Sequence, residues 1–443
     1  MRRPLLILFV VAVFFPAKIL AQNDRADKSG LVIYQIWERA YSEKGDFKSI
    51  TSDLDRLKAL GVNMIWLMPV NPIGKVKHKG TIGSPYAVSD YYKINPDYGS
   101  AQDLKQLVNK AHSLGIKVII DVVLNHTAWD NPLIKQHPQF YKRNSQGEIQ
   151  PPVPEWSDVA GLDYSSKELR SWMIVMLKWW VREFDVDGFR CDVAGMIPTD
   201  FWETARAEVS KVKKNTFWLA EAEKSELLQK AFDADYSWKL FHQIDRVIVD
   251  GEPAFKLQEV WNQQRSEYPE QSLRLRFIDN HDERRAIARL GEKGALVAAA
   301  FIFALDGIPL IYNGMEAGDT TESGAPALFE KRTIFWQFAE RRPEFQKFFT
   351  KIISLRKNST ALREGRLEWL KNSDPERVVS FIRSGGNEKI VFIANLSNRP
   401  YKASIGINGT FEDILSDNAE KEITASSILL NAFEFKILRR IEK

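Results

Sequence analysis

The feature that most constrains the fold is a regular alternation of short apolar runs with longer stretches of helical periodicity. Leu31–Ile36 is the first run. The helical stretch Ile50–Leu60 follows, stopped by Gly61, and then comes the run Met64–Leu67. Ala101–Leu114, stopped by Gly115, precedes Lys117–Val123. The amphipathic Ser166–Phe184 precedes Gly188–Asp192. Phe217–Ala220, Leu275–Ile278 and Ile308–Tyr312 are later runs of the same kind. A glycine past the last periodic residue is a helix stop signal. Strand and helix in strict alternation specify a parallel sheet with crossover helices. Seven strands can be placed this way, and the spacing predicts an eighth near Phe241–Val249. The expected fold is α/β, a (β/α)8 TIM barrel.

The chain has 443 residues, against about 250 for a typical barrel, which leaves room for additions. Residues 126–165 form a long polar connection after the third strand, with Pro132, Pro138, Pro151, Pro152 and Pro154. Connections of this length are usually functional, and we expect a short inserted loop domain over the catalytic face. Past Glu364 the helical pattern fades. Val378–Ile382, Ile390–Asn395, Tyr401–Ile405 and Phe433–Leu438 read as strands separated by Gly, Asn and Ser. The expected domains are therefore a barrel over 22–364, including the loop domain 126–165, and an antiparallel β domain over 365–443.

Residues 1–21 have the form of a signal peptide, with Arg2 and Arg3, the apolar Leu5–Phe15, and Ala21 before a polar stretch. The apolar run falls short of the ~20 residues of a membrane span, so no stable membrane insertion is expected after cleavage. The expected location is secreted or periplasmic. Cleavage would remove Arg2, Arg3 and Lys18 and lower the formal charge from +4 to +1. A near-neutral surface offers nucleic acid no electrostatic footing. Cys191 is the single cysteine, so no intrachain disulfide can form.

Barrel enzymes carry their catalytic groups at the C-terminal ends of strands. Polar residues cluster where the apolar runs stop: Asp121–His126, Arg190–Asp192, Glu221, and Asp279–Asp282. Arg190 and Asp192 are two apart and share one face of a strand. An adjacent guanidinium stabilises an ionised carboxylate, so the pair predicts a lowered Asp192 pKa, suited to a nucleophile. Glycoside hydrolysis requires two carboxyl groups with different tasks. Asp192 and Glu221 end neighbouring strands, which lie about 4.8 Å apart. That spacing permits the ~5–5.5 Å separation of retaining enzymes more easily than the roughly 6.5–9.5 Å of inverting ones.

In this order, Asp121–His126, Gly188–Asp192, Leu219–Glu221 and Phe277–Asp282 resemble the conserved motifs of the α-amylase family of glycoside hydrolases. Gly83–Tyr91 resembles the family's second-strand loop. The resemblance implies Asp192 as nucleophile, Glu221 as general acid and base, and Asp282 as stabiliser of the distorted sugar. It also implies Arg190 orienting Asp192, His126 and His281 bonding sugar hydroxyls, and Tyr86 stacking beneath the ring. Asp121 and Asn125 would brace the site. Glu223 is the lesser candidate for the acid, and His78, His112, His137 and His242 are read as structural. The implied substrate is an α-glucan or maltooligosaccharide, and no cofactor is required for the chemistry.

The pattern also departs from the family. Gly195 and Met196 stand where many members have a lysine and a histidine. The histidine's carbonyl helps bind a structural calcium in typical α-amylases, and the lysine contacts sugar beyond the cleavage point. Calcium takes six to eight oxygen ligands. Any residue supplies a carbonyl, so Met196 does not exclude calcium, but Asp130, Glu155, Asp158 and Asp163 show no dedicated spacing; the metal ligands are unknown, and a structural calcium is possible but not expected. Trp129, Trp156 and Tyr164 are candidate sugar platforms in place of the missing lysine. The same machinery serves α-glucosidases, neopullulanases and transglycosylases. A non-catalytic glucan-binding relative would have lost the carboxylates that remain here. Chain-end against mid-chain attack, α-1,4 against α-1,6 preference and oligomeric state leave no mark in the sequence.

Overall fold

The computed structural model describes residues 28–270, 272–415 and 423–441. The signal-like segment 1–21 lies outside them. Eight parallel strands close into a barrel in sequential order. They are β1 (Ile33–Ile36), β2 (Met64–Leu67), β3 (Lys117–Val122), β4 (Gly188–Cys191), β5 (Phe217–Ala220), β6 (Ala234–Tyr236), β7 (Leu273–Arg276) and β8 (Ile308–Tyr312).

Two placements differ from the sequence reading. The eighth strand is not at Phe241–Val249. That run lies in the helix Trp238–Ile248, whose Leu240, Phe241, Ile244 and Val247 are buried at a spacing of three to four. The missing strand is the short β6. It follows β5 after only a 3₁₀ turn at Ser225–Leu228, so no crossover helix announces it. Strand β7 begins two residues before the expected Leu275. Arg274 and Arg276 interrupt its apolar run, yet both are buried and ion-paired, to Glu223 and Asp306.

Side-chain alternation divides each strand between two cores. Ile33, Met64, Trp66, Ile119, Phe217, Leu219, Tyr236, Leu275 and Leu310 pack together inside the barrel. Tyr34, Ile65, Leu67, Val118, Ile120, Phe189, Cys191, Trp218 and Ile311 join the larger cluster under the helices. The helices start where the sequence provides caps. Asp46 accepts from the Ser49 N–H before Phe47–Leu60, Ser166 accepts from Leu169 before Lys167–Phe184, and Ser100 and Asp103 form a capping box before Ala101–Ser113.

Gly188 on β4 faces Phe217 on β5 in register. A Cβ there would sit 1.9 Å from the Phe217 carbonyl oxygen, and its φ of 147° lies where side chains are rarely tolerated. A side chain there would push apart the two strands that carry Asp192 and Glu221.

The 126–165 connection has structure of its own: His126–Ala128 pairs antiparallel with Val159–Gly161. After the helix Pro343–Asn358, the C-terminal strands form a six-stranded antiparallel sheet containing Val378–Gly385, Glu388–Asn395 and Phe435–Arg440. Tyr401–Ala403 pairs with Ile428–Leu430 in a separate ribbon. The sheet packs on the barrel through Phe381 and Phe392, each about 6 Å from Phe301. Among the described residues no helix is long and apolar enough to cross a membrane.

Candidate active site

Period-two alternation continues past the strand ends and turns the polar residues inward. Asp121 follows the inward Ile119, and Glu221 follows the inward Phe217 and Leu219. Asp121 pairs in register with Arg190 across β3 and β4. Arg190 is fully buried and is the hub of the site. Its Nη1 donates to both oxygens of Asp121, at 2.9 and 3.0 Å, and to Asp192 Oδ1 at 3.1 Å. Its Nη2 lies 2.6 Å from Glu221 Oε1, and its Nε donates to the Tyr236 hydroxyl at 3.3 Å. The rings of Trp66, Tyr86 and Tyr236 lie 5.2–5.8 Å from the guanidinium carbon.

One guanidinium therefore faces three carboxyl groups. Burial pushes Asp121 up to about 7 against the pull of Arg190. Asp192 is also pushed above the usual carboxylate range, first by burial and then by Glu221. The lowered Asp192 pKa predicted from its spacing to Arg190 is thus corrected. The sequence neighbour is in contact, but its charge is divided among three acids in a site nearly closed to water. Asp282 is raised by burial to about 6.

The two histidines are neutral. Burial lowers His126 to about 4 and His281 to about 3. With the Gln35 amide donating to His281 Nδ1 at 2.7 Å, the ring proton sits on Nε2. That nitrogen lies 2.6 Å from the Tyr86 hydroxyl and 3.2 Å from Asp282 Oδ2. Tyr86 in turn donates to Asp121 at 3.1 Å. A continuous chain runs from Gln35 through His281, Tyr86 and Asp121 to Arg190. His126 Nε2 stands 4.0 Å from Asp192 Oδ2, on the other side of the nucleophile candidate.

Tyr86, His126, Asp192, Glu221, His281 and Asp282 line one cleft of about 220 Å³. Arg190 lies beneath it. All of the site residues expected from sequence are thus brought together. Glu223 is drawn away: it accepts from Arg274 and Gln264 and braces β5 against β7. Of the proposed sugar platforms, Trp156 reaches the cleft, where its ring meets His126 edge-on at 5.6 Å. Tyr164 is buried and donates to the Leu124 carbonyl. Trp129 carries Lys77 on its face at 3.8 Å.

Sequence reasoning missed Gln35, Trp66, Tyr236 and Val193. The first three occupy inward positions of β1, β2 and β6; extending the alternation rule to the ends of β1 and β2 would have found Gln35 and Trp66, whereas Tyr236 lies on the strand the sequence did not reveal. Val193 shows no sequence signal. It holds a left-handed backbone (φ 37°, ψ 44°), unusual for a β-branched residue, and its N–H donates to Glu221 Oε2 at 2.7 Å.

The inserted loop's oxygen donors are partly engaged within the protein. Asp158 Oδ1 is held by Lys79 Nζ at 3.1 Å, the same ammonium donates to the Glu155 carbonyl at 2.7 Å, and Asp163 accepts from the Ser165 N–H. Lys79 thus supplies an internal cation to Asp158 and to the Glu155 carbonyl, while Asp130 accepts from the Lys75 N–H at 2.8 Å. Among the described residues no group of three or more His, Cys, Asp or Glu could hold a metal.

The catalytic-domain model of the α-amylase family matches residues 20–148 and 155–373. A noncanonic maltogenic α-amylase from Thermotoga neapolitana superposes with a TM-score of 0.86 at 33% identity, covering 94% of this chain and 99% of that one. An α-amylase from Lactobacillus plantarum does so at 0.85 and 31%, covering 94% and 100%. Among curated relatives, alpha-amylase 2 of Dictyoglomus thermophilum is 27% identical over 90% of this chain and 71% of its own length. The intracellular maltogenic amylase of Bacillus subtilis is 28% identical over 80% of this chain. This chain spans only 62% of that protein, and 57% of the α-amylase MalA of Haloarcula japonica. With a family match over most of its length on a closed barrel whose strand ends converge on one acidic cleft, the chain belongs to the α-amylase family of glycoside hydrolases and is an enzyme.

Proposed function

We propose that this enzyme is a retaining hydrolase of α-1,4-glucosidic bonds in starch, glycogen or maltooligosaccharides. The observation that carries the reading is the grip of Arg190 on both Asp192 and Glu221 at the floor of the cleft. Asp192 is the nucleophile. Its Oδ1 is tied to Arg190, whereas Oδ2, which has no hydrogen-bond partner among the described residues, is the oxygen that attacks the anomeric carbon. As that bond forms, the glycosidic C–O bond breaks, and Glu221 gives its proton to the departing oxygen. Glu221 then takes a proton from water, which attacks the same carbon and releases Asp192. Asp282 bonds sugar hydroxyls and stabilises the flattened, positively charged ring, and His281, whose Nε2–H goes to Tyr86, holds both of those side chains in place. Tyr86, locked by His281 and Asp121, lies beneath that ring.

The test is NMR of fresh products from maltoheptaose. Newly formed α-anomers support the reading, and β-anomers overturn it. Secretion to the periplasm or medium is proposed from Arg2, Arg3 and Leu5–Phe15 alone. N-terminal sequencing of the mature protein from each cell fraction tests it.

A further inference from the structure

The barrel order gives the cleft a direction. Under the retaining-hydrolase reading, on which this inference rests, Glu221 on β5 protonates the departing oxygen, so the leaving chain lies on that side. The sugar retained on Asp192 extends the opposite way, toward the loops of β8, β1 and β2, which adjoin in the closed sheet.

On that side the loops are tied to one another. Arg39, just past β1 and 5% exposed, donates to the carbonyls of both Gly83 and Leu328. The Ile82 N–H donates to the Phe329 carbonyl at 3.1 Å. The Thr81 N–H donates to Glu330 Oε1 at 3.0 Å, and its hydroxyl bonds the other oxygen of Glu330. Gly80 lets the two loops touch: a Cβ there would lie 2.4 Å from Phe329 Cβ. One residue earlier, Lys79 reaches Asp158 and Glu155 of the inserted loop. Segment 79–83 therefore runs as a continuous wall from the inserted loop to the β8 loop. Lys79, Leu328 and Phe329 line the catalytic cleft itself.

We infer that the wall of Lys79–Gly83 against Leu328–Glu330 closes the cleft beyond the retained sugar. The enzyme accordingly accepts the non-reducing end of an α-glucan and releases a short product, rather than cutting in mid-chain. A chain passing through would have to displace the backbone and side-chain bonds of this wall.

The test compares maltoheptaose with the same oligosaccharide carrying a 4,6-O-ethylidene cap on its non-reducing ring, with products followed by chromatography. The expected kcat/KM on the capped substrate is lower by about tenfold or more, a barrier difference of about 1.4 kcal/mol. The double variant Thr81→Ala, Phe329→Ala should bring that ratio back toward one. Equal rates on both substrates with the unaltered enzyme would overturn the inference while leaving the hydrolase reading intact. Failure to cleave either substrate would overturn the hydrolase reading, and this inference with it.

Discussion

Replacing Asp121 by asparagine should give a pH dependence opposite to that of an ordinary ion-pair mutant. Asp121 is fully buried against Arg190, which it shares with Asp192 and Glu221. Its carboxyl is raised from 3.8 to about 7. Between those values the folded protein binds a proton that the unfolded chain has released. Stability from this group is therefore complete below about pH 4 and is lost as pH rises through about 7. At about 1.4 kcal/mol per pH unit over the interval from about pH 4 to about pH 7, this amounts to on the order of 4 kcal/mol. Asparagine does not titrate. The advantage of the wild type over Asp121→Asn should thus shrink by up to about 4 kcal/mol between pH 4 and pH 8. His126, His281 and Asp282 titrate in both proteins and cancel in the difference to first order, whereas Asp192 is raised less in the variant, which acts in the same direction. The measurement is the unfolding midpoint of both proteins across that range. An advantage that stays constant or grows with pH would refute the reasoning, because it would mean that Asp121 is ionised in a conventional pair. Asp121 is also one of the groups that raise Asp192. The acid limb of kcat/KM in the variant should move to lower pH.

Asp192→Asn should abolish turnover while maltoheptaose binding survives, measured by calorimetry. Full activity would remove Asp192 from the mechanism. Gly188→Ala should lower the melting temperature sharply, since the new methyl would lie 1.9 Å from the Phe217 carbonyl. Overpacking and the positive φ each cost about 1–3 kcal/mol, and an unchanged melting temperature would show that β4 and β5 can part without penalty. EDTA should leave the melting temperature largely unchanged, because Lys79 already pairs with Asp158 and the Glu155 carbonyl in the loop. A large loss restored by calcium would contradict that fit.

Much of this protein was legible in its sequence because its information is local. A period of two marks strands, a period near 3.6 marks helices, and glycines and caps mark their ends. Those signals placed β2, β5 and β8 residue for residue. The strand ends were readable because a barrel gathers them on one face, so Asp121, Arg190, Asp192, Glu221 and Asp282 could be named together. The reading failed where the local signal was weak or shared. Strand β6 is only Ala234–Tyr236 and lacks a preceding helix, while Phe241–Val249 is as apolar as a strand but repeats as a helix.

What the sequence determined by itself was the order of elements, the barrel and the inventory of acids at its mouth. Tertiary structure alone decided how those acids share charge, because pKa depends on burial and on every neighbour in space, and Asp121 meets Arg190 only across β3 and β4. It also decided that Gln35 fixes the His281 tautomer, that Val193 holds Glu221, and that segment 79–83 meets the β8 loop. Each of these contacts joins residues 28 or more positions apart in the chain. No periodicity records such a pairing, because it exists only once the barrel has closed.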